Sequence, residues 1–212
     1  MRLQLVVEGK DDRFCLKSLV AQHWNITAKG RLDSLLDIAE AGSKKDVKKV
    51  TKAILINPRC AIGLVIDGDK SVDASWKSVR AVLNDRVDNL PAHYPLDGFV
   101  SSLTVSGFSI GVWLMPGGGS QGELESLLLK AADVANPKLL EHATKSTRVA
   151  RQLGAKFLPK HERKAVLHTW LAWQQEPGLP YGTAVKAGFL PPESPAFQPF
   201  FAWIDRLCPK DP

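Results

Sequence analysis

Residues 60–71 read CAIGLVIDGDKS. The stretch from Cys60 to Ile66 is apolar without interruption, the pattern of a strand buried on both faces. It stops at Asp67-Gly68-Asp69. Residues two apart in an extended chain point to the same side, ~6–7 Å apart along the backbone. The carboxylates of Asp67 and Asp69 can therefore face one cation-sized space. Magnesium, a hard cation, takes oxygen ligands, usually one or two carboxylates with water and phosphate. Asp-Gly is equally an ordinary turn, and this motif alone leaves both readings open.

Toward the N-terminus, residues 3–12 read LQLVVEGKDD. The run from Leu3 to Val7 is a second buried strand, closed by Glu8-Gly9. Asp11 or Asp12 can cap a following helix that carries Leu16, Leu19, Val20 and His23 at helical spacing. In α/β sheets the carboxyl ends of strands form the ligand crevice, so Glu8 and Asp12 can converge there. A turn acid followed by an N-cap is the other reading. Two acidic strand ends in one chain weigh more than either alone. Like charges gathered at one site repel unless a cation neutralises them or their pKa values rise.

The rest of the chain alternates in the same way. Ser43 with Asp46 marks a helix start, followed by a helix over 44–57 that Asn57-Pro58 ends. The pattern predicts a helix over 74–87, strands over 99–105 and 109–115, a loop at Pro116-Gly117-Gly118-Gly119-Ser120, and a helix opening at Gly122. Strands alternating with helices predict an α/β fold, a mainly parallel sheet flanked by helices, over residues 1–131. From 132 to 212 helical patterns dominate, clearest over 131–153 and 159–175. This part reads as a helical C-terminal extension packed on the core. Trp170, Trp173 and Trp203 fall in helical patterns and read as core. Tyr94 and Tyr181 fall in proline-flanked loop sequence.

The 212 residues are 44% hydrophobic, 24% charged and carry a formal net charge of +6, a balance compatible with a polyanionic partner. Cys15, Cys60 and Cys208 are far apart and lack metal-binding spacing, which fits thiols in a reducing compartment. The first residues lack a signal-peptide pattern, and no apolar stretch approaches the ~20 residues that span a bilayer. The expectation is a cytoplasmic protein with no membrane attachment. Lys44, Lys45, Lys48, Lys49 and Lys52 form a basic helical surface whose default reading is a solvated face.

VVEGKDD (6–12), followed by a hydrophobic strand ending in IDGDKS (66–71), resembles the Toprim domain of topoisomerases, primases and several nucleases. VWLMPGGGSQGELESLLL (112–129) and HERKAVLHTWLAWQQEPGLPYGTAV (161–185) resemble segments of the DUF3226 family, read as relatives of OLD-type Toprim nucleases. The resemblance runs from Leu3 to about Leu207. It implies a Toprim-like, Rossmann-like core in which Glu8, Asp67 and Asp69 hold Mg2+ or Mn2+, with Asp12 and Glu125 helping to place a second ion. It makes Lys164 a cationic partner for the reacting phosphate, with Lys156 and Lys160 as rivals. The sequence departs from the pattern at Gly117 and Gly118, where polar residues are expected. A glycine-rich loop opening a helix can instead present N–H groups to phosphate, although GGGSQG lacks the Gly-Lys-Ser/Thr ending of a Walker A loop.

The implied activity is a metal-dependent phosphodiesterase acting on DNA or RNA, with a separate ATPase partner and a setting in phage defence. The alternative is a non-catalytic module that binds nucleotide or nucleic acid through the same metal site.

Overall fold

The computed structural model describes residues 2–209. Its strands are β1 (Leu3–Val7), β2 (Leu36–Glu40), β3 (Ala61–Asp67), β4 (Phe99–Ser102) and β5 (Ser109–Met115). They form one sheet in the order β2-β1-β3-β5-β4. β1, β2, β3 and β5 run parallel, and β4 is antiparallel to β5. The expected α/β fold with a mainly parallel sheet is present.

Helices cover both faces. α1 (Lys10–His23) joins β1 toward β2 and lies on one face. α3 (Lys44–Ile54) and α4 (Val72–Leu83) lie on the other. The period-two alternation of strand side chains assigns residues to the two cores. Leu3, Leu5 and Val7 of β1 face the α1 side, while Val6 faces the α3 side. In β3, Ile62, Leu64 and Ile66 join Val6, and Ala61 and Val65 point the opposite way. This two-sided burial is what the uninterrupted apolar run of residues 60–66 encodes.

The chain leaves β1 for β2 on one side and returns through α3 to β3 on the other side of β1. The connection therefore reverses between β1 and β3. That reversal opens a crevice beyond the carboxyl ends of these two strands. Glu8 and Asp67 stand at its two lips.

The C-terminal helices are α5 (Leu124–Ala135), α6 (Pro137–Gln152), α7 (Glu162–Leu171), α8 (Tyr181–Lys186) and α9 (Gln198–Leu207). They share one hydrophobic cluster with α1 and with Leu3, Leu5 and Trp113 of the sheet. The contact with α9 explains two glycines in central strands. Gly63 and Gly111 are register partners. A Cβ on Gly63 would lie 2.8 Å from Leu207 and 3.0 Å from the Trp203 ring, and one on Gly111 would lie 3.0 Å from that ring. The missing side chains make a hollow that the Trp203 indole fills. The indole Nε1–H donates to the Phe99 carbonyl at 3.0 Å. On the opposite face the buried Tyr94 hydroxyl accepts from the Leu114 N–H at 2.8 Å and donates to the Val112 carbonyl at 3.2 Å. It thereby satisfies β5 beyond the end of the short β4.

Several sequence expectations change. The stretch 24–42 receives no element from the sequence pattern, yet holds α2 (Lys29–Leu35) and β2. β2 (LDIAE) is an edge strand with only Leu36 and Ile38 buried, so it lacks the long apolar run that marks β1 and β3. The helix expected over 131–153 is two helices broken at Asn136, whose Oδ1 accepts from the Leu139 N–H at 3.1 Å, with Pro137 in the first turn. The helix expected over 159–175 begins as a short 3-10 turn, Pro159–His161, and α7 ends at Leu171. β4 ends at Ser102 rather than 105, and α4 runs over Val72–Leu83 rather than 74–87. Trp170 and Trp203 are core, but Trp173 lies beyond α7, is 41% exposed and packs beside His142. Residues 210–212 of the expected extension lie outside the described residues.

Trp203→Ala should lower unfolding stability by about 3–5 kcal/mol, the cost of emptying a large buried aromatic site. Urea unfolding followed by circular dichroism measures this. A loss under about 1 kcal/mol would mean that α9 is not part of the sheet's core.

Candidate functional site

Three chain turns at the carboxyl end of the sheet build the site. In the first, Gly9 caps α1 in extended conformation. The cap is Gly9 rather than Asp11 or Asp12, and Asp12 contributes from within the first turn by accepting the Gly9 N–H at 2.8 Å. Glu8 turns toward β3, where its Oε1 accepts the Asp67 N–H at 3.0 Å. One carboxylate thus bonds to the backbone at the root of the next acidic turn.

The second turn is Asp67-Gly68-Asp69. It is stapled to the loop after β5: the Gly68 N–H donates to Met115 O at 3.0 Å and the Asp69 N–H to Gly122 O at 3.1 Å. A Cβ at Gly68 would fall 2.5 Å from Met115 O, so this approach requires glycine. Asp69 has a left-handed φ of +47°, which aspartate tolerates better than most residues. The third turn is that loop itself. Gly117, Gly118 and Gly119 all have positive φ, at 98°, 62° and 68°. A run of three left-handed residues favours glycine over the polar side chains expected at Gly117 and Gly118.

Glu8, Asp12, Asp67 and Glu125 line one cleft of about 320 Å3, with Asp11 and Lys164. Asp69 does not line it. Its carboxylate is 59% exposed and receives the Lys44 Nζ at 2.6 Å. The same ammonium donates to the Asp67 carbonyl at 2.9 Å and to Ser75 Oγ at 2.7 Å. Lys44 was expected on a solvated basic face. Instead it braces the Asp67–Asp69 turn from behind. A signal was present in the sequence: Ser43 caps α3, which puts a lysine in the first helical turn, where the helix dipole disfavours cations. Such a residue calls for an anionic or carbonyl partner elsewhere.

α7 supplies the other cation. Lys164 Nζ lies 2.9 Å from Asp11 Oδ2 and 3.6 Å from Glu125 Oε1. Beside it, Arg163 Nη1 contacts both oxygens of Glu123 at 3.1 and 3.2 Å, tying α7 to the start of α5. Lys156 and Lys160, the rival lysines, do not line the cleft. Tyr181, expected in a loop, opens α8 and is buried. Its hydroxyl lies 3.3 Å from Glu125 Oε1 and 3.3 Å from His168 Nε2. Burial, then the charge of Glu125, pushes the phenol well above its ordinary range. That makes it a donor that orients Glu125, not an ionised nucleophile.

The electrostatics of the cluster are uneven. Burial raises Glu8, partly offset by the Asp67 N–H and the charge of Lys44. Asp12 is pushed up to about 6 by burial, against the hydrogen bond from Gly9, with Glu125, Glu8 and Asp11 adding repulsion. Asp67 is pushed up to about 8 by burial and then by the charges of Glu8, Asp12, Asp69 and Glu125. Burial draws the Lys164 ammonium down, but the Asp11 hydrogen bond and the charges of Glu125 and Asp11 outweigh it, and its pKa rises.

Glu8, Asp12 and Glu125 each have a protein partner for the carboxylate, whereas Asp67 is braced through its backbone. Among the described residues, no three or more His, Cys, Asp or Glu side chains stand close enough together to hold a metal ion as they are oriented. The donor chemistry nevertheless suits a hard cation: four half-buried carboxylates share one cleft, two of them, Asp12 and Asp67, held well above the ordinary carboxyl pKa.

Raised carboxyl pKa values mean that the protonated cluster is the more stable one. Its contribution is full below the ordinary carboxyl values, 3.8 for aspartate. It is lost as pH rises through about 6 for Asp12 and about 8 for Asp67. In chelator-treated protein, Asp67→Asn should therefore raise the melting temperature at pH about 9, by a stability gain on the order of a few kcal/mol, and change little at pH about 4. An equal effect at both pH values would refute the electrostatic assignment.

Compared with known families, residues 2–209 match the family described as "Protein of unknown function (DUF3226)". No curated protein and no solved structure matches the chain. Among the described residues no helix is long and apolar enough to cross a membrane.

Proposed function

We propose that this chain, which belongs to the DUF3226 family, is a divalent-metal-dependent phosphodiesterase of Toprim type that cuts DNA or RNA. The observation that carries the reading is the cleft in which Glu8, Asp12, Asp67 and Glu125 meet at the β1/β3 reversal, with Asp67 raised to about 8. Such a site suits a cation, because bound charge stabilises the ionised form of carboxylates that burial, and after it mutual repulsion, holds protonated.

Glu8, Asp67, Asp12 and Glu125 would hold Mg2+ or Mn2+, and Asp69 would join them by releasing Lys44. When bound, the ions supply an activated water and stabilise the leaving oxygen of a phosphodiester. The protein's own part is positioning. Gly68 and the staple to Met115 fix the Asp67 turn, and Tyr181 orients Glu125. Lys164 keeps its charge at neutral pH and sits at the cleft mouth, where it can bind a phosphate oxygen and stabilise negative charge on it. An ATPase partner and a role in phage defence are carried by the resemblance to OLD-type nucleases alone.

The pairing of Lys44 with Asp69 at 2.6 Å favours a second reading, a metal-dependent binding module without turnover, because it occupies one expected ligand. Turnover separates the two. Purified protein should cut nucleic acid with millimolar Mg2+ or Mn2+, and Asp67→Ala should slow cutting by about 100-fold or more. Undiminished cutting by Asp67→Ala contradicts the site assignment, and metal binding with no cutting by wild type favours the binding module. Millimolar Mn2+ should also raise the melting temperature, since a ligand of the native state must stabilise it.

A further inference from the structure

A second, larger cleft adjoins the acidic one. Its volume is about 790 Å3, within the ~300–1,000 Å3 of ligand-binding clefts. The two share Lys10 and Asp11 in their walls. Tyr181, which lines the larger cleft, bonds Glu125 of the smaller. The groove runs between α1, the start of α2 and α8, and ends at the carboxylates.

Its chemistry is unlike that of the acidic cleft. Lys10, Lys17, Lys29 and Lys186 line it with one acid, Asp11; Asp11 pairs with Lys164 at 2.9 Å and Lys17 with Asp33 at 2.5 Å, which leaves Lys10, Lys29 and Lys186 as the groove's cations. Its base is apolar, with Ala21, Ile26 and Leu32. In its wall stands Phe14, 49% exposed. Lys10 Nζ lies 6.0 Å from the Phe14 ring centroid and Arg13 Cζ 5.7 Å. The wall is close-packed: a Cβ on Gly182 of α8 would lie 2.5 Å from the Phe14 carbonyl oxygen, so the two helices meet backbone to backbone. An isolated exposed phenylalanine is unremarkable on a protein surface. One set beside Lys10, Lys29 and Lys186, in a groove that adjoins the acidic cleft, has the composition of a single-strand binding track: cations for the backbone and an aromatic face for the bases.

We propose that this groove binds single-stranded nucleic acid, with a base stacked on Phe14 and phosphates on Lys29 and Lys186, and feeds the strand past Lys10 to the carboxylates. The feeding direction rests on the phosphodiesterase reading; the binding itself does not. A duplex offers no exposed base face to Phe14, so the groove selects unpaired strands.

Fluorescence anisotropy with labelled oligo(dT) in EDTA tests this without metal or turnover. Wild type should bind the single strand more tightly than a duplex of equal length. Phe14→Ala should weaken single-strand binding about tenfold. The double variant Lys29→Gln/Lys186→Gln should reduce the slope of log K against log salt by about 1.4. Unaltered melting curves show that the variants are folded. No binding by wild type, equal binding of duplex, or affinities untouched by both variants overturns the groove. These outcomes are independent of the metal site. If Mn2+ fails to stabilise the protein while Phe14→Ala still weakens oligo(dT) binding, the phosphodiesterase reading falls and the groove stands.

Discussion

Burial of the neighbouring carboxylates Glu8, Asp12 and Asp67, with repulsion among them and from Glu125 added to it, is the constraint around which this end of the molecule is built. Four half-buried carboxylates therefore need compensation. The fold supplies it piecemeal: backbone N–H groups for Glu8 and Asp12, a phenol and an ammonium for Glu125, and a braced turn for Asp67. Asp67 receives least, and its pKa shows it. Such a cluster costs stability, and strongly perturbed carboxyl groups in a cleft mark a candidate functional site.

The C-terminal helices belong to the same construction. α9 seats Trp203 in the Gly63–Gly111 hollow on the sheet, and α7 carries Arg163 and Lys164 to α5 and the cleft. Core and site thus depend on the same long-range contacts. Removing this segment would uncover the sheet and also take Lys164 from the acidic cleft, leaving Lys10.

Much of this was legible in the sequence because buried parallel strands write long apolar runs. β1, β3 and β5 read directly, and so did the acids at the ends of β1 and β3. The family signal in residues 112–129 and 161–185 pointed to DUF3226, the family the chain matches. What escaped reading depended on partners remote in sequence. β2 is half-exposed and gains its identity only by pairing with β1. Lys44 looked like one lysine among five, because its partners lie 23 to 31 residues further along. Asp69 looked equivalent to Asp67 by spacing, but its left-handed backbone sends its carboxylate to Lys44 instead. Tyr181 looked like a loop residue until α8 packed against α1.

We propose that these carboxylates are a cation site whose protons a metal displaces. Calorimetric titration of Mn2+ at pH about 7, repeated in buffers of different ionisation enthalpy, measures the protons released per ion bound. A site containing Asp67 at about 8 should release on the order of one proton per ion, because metal ligation requires the deprotonated carboxylate. Asp67→Asn should remove that release. Absence of Mn2+ binding, or binding whose proton release is unchanged in Asp67→Asn, would contradict the account.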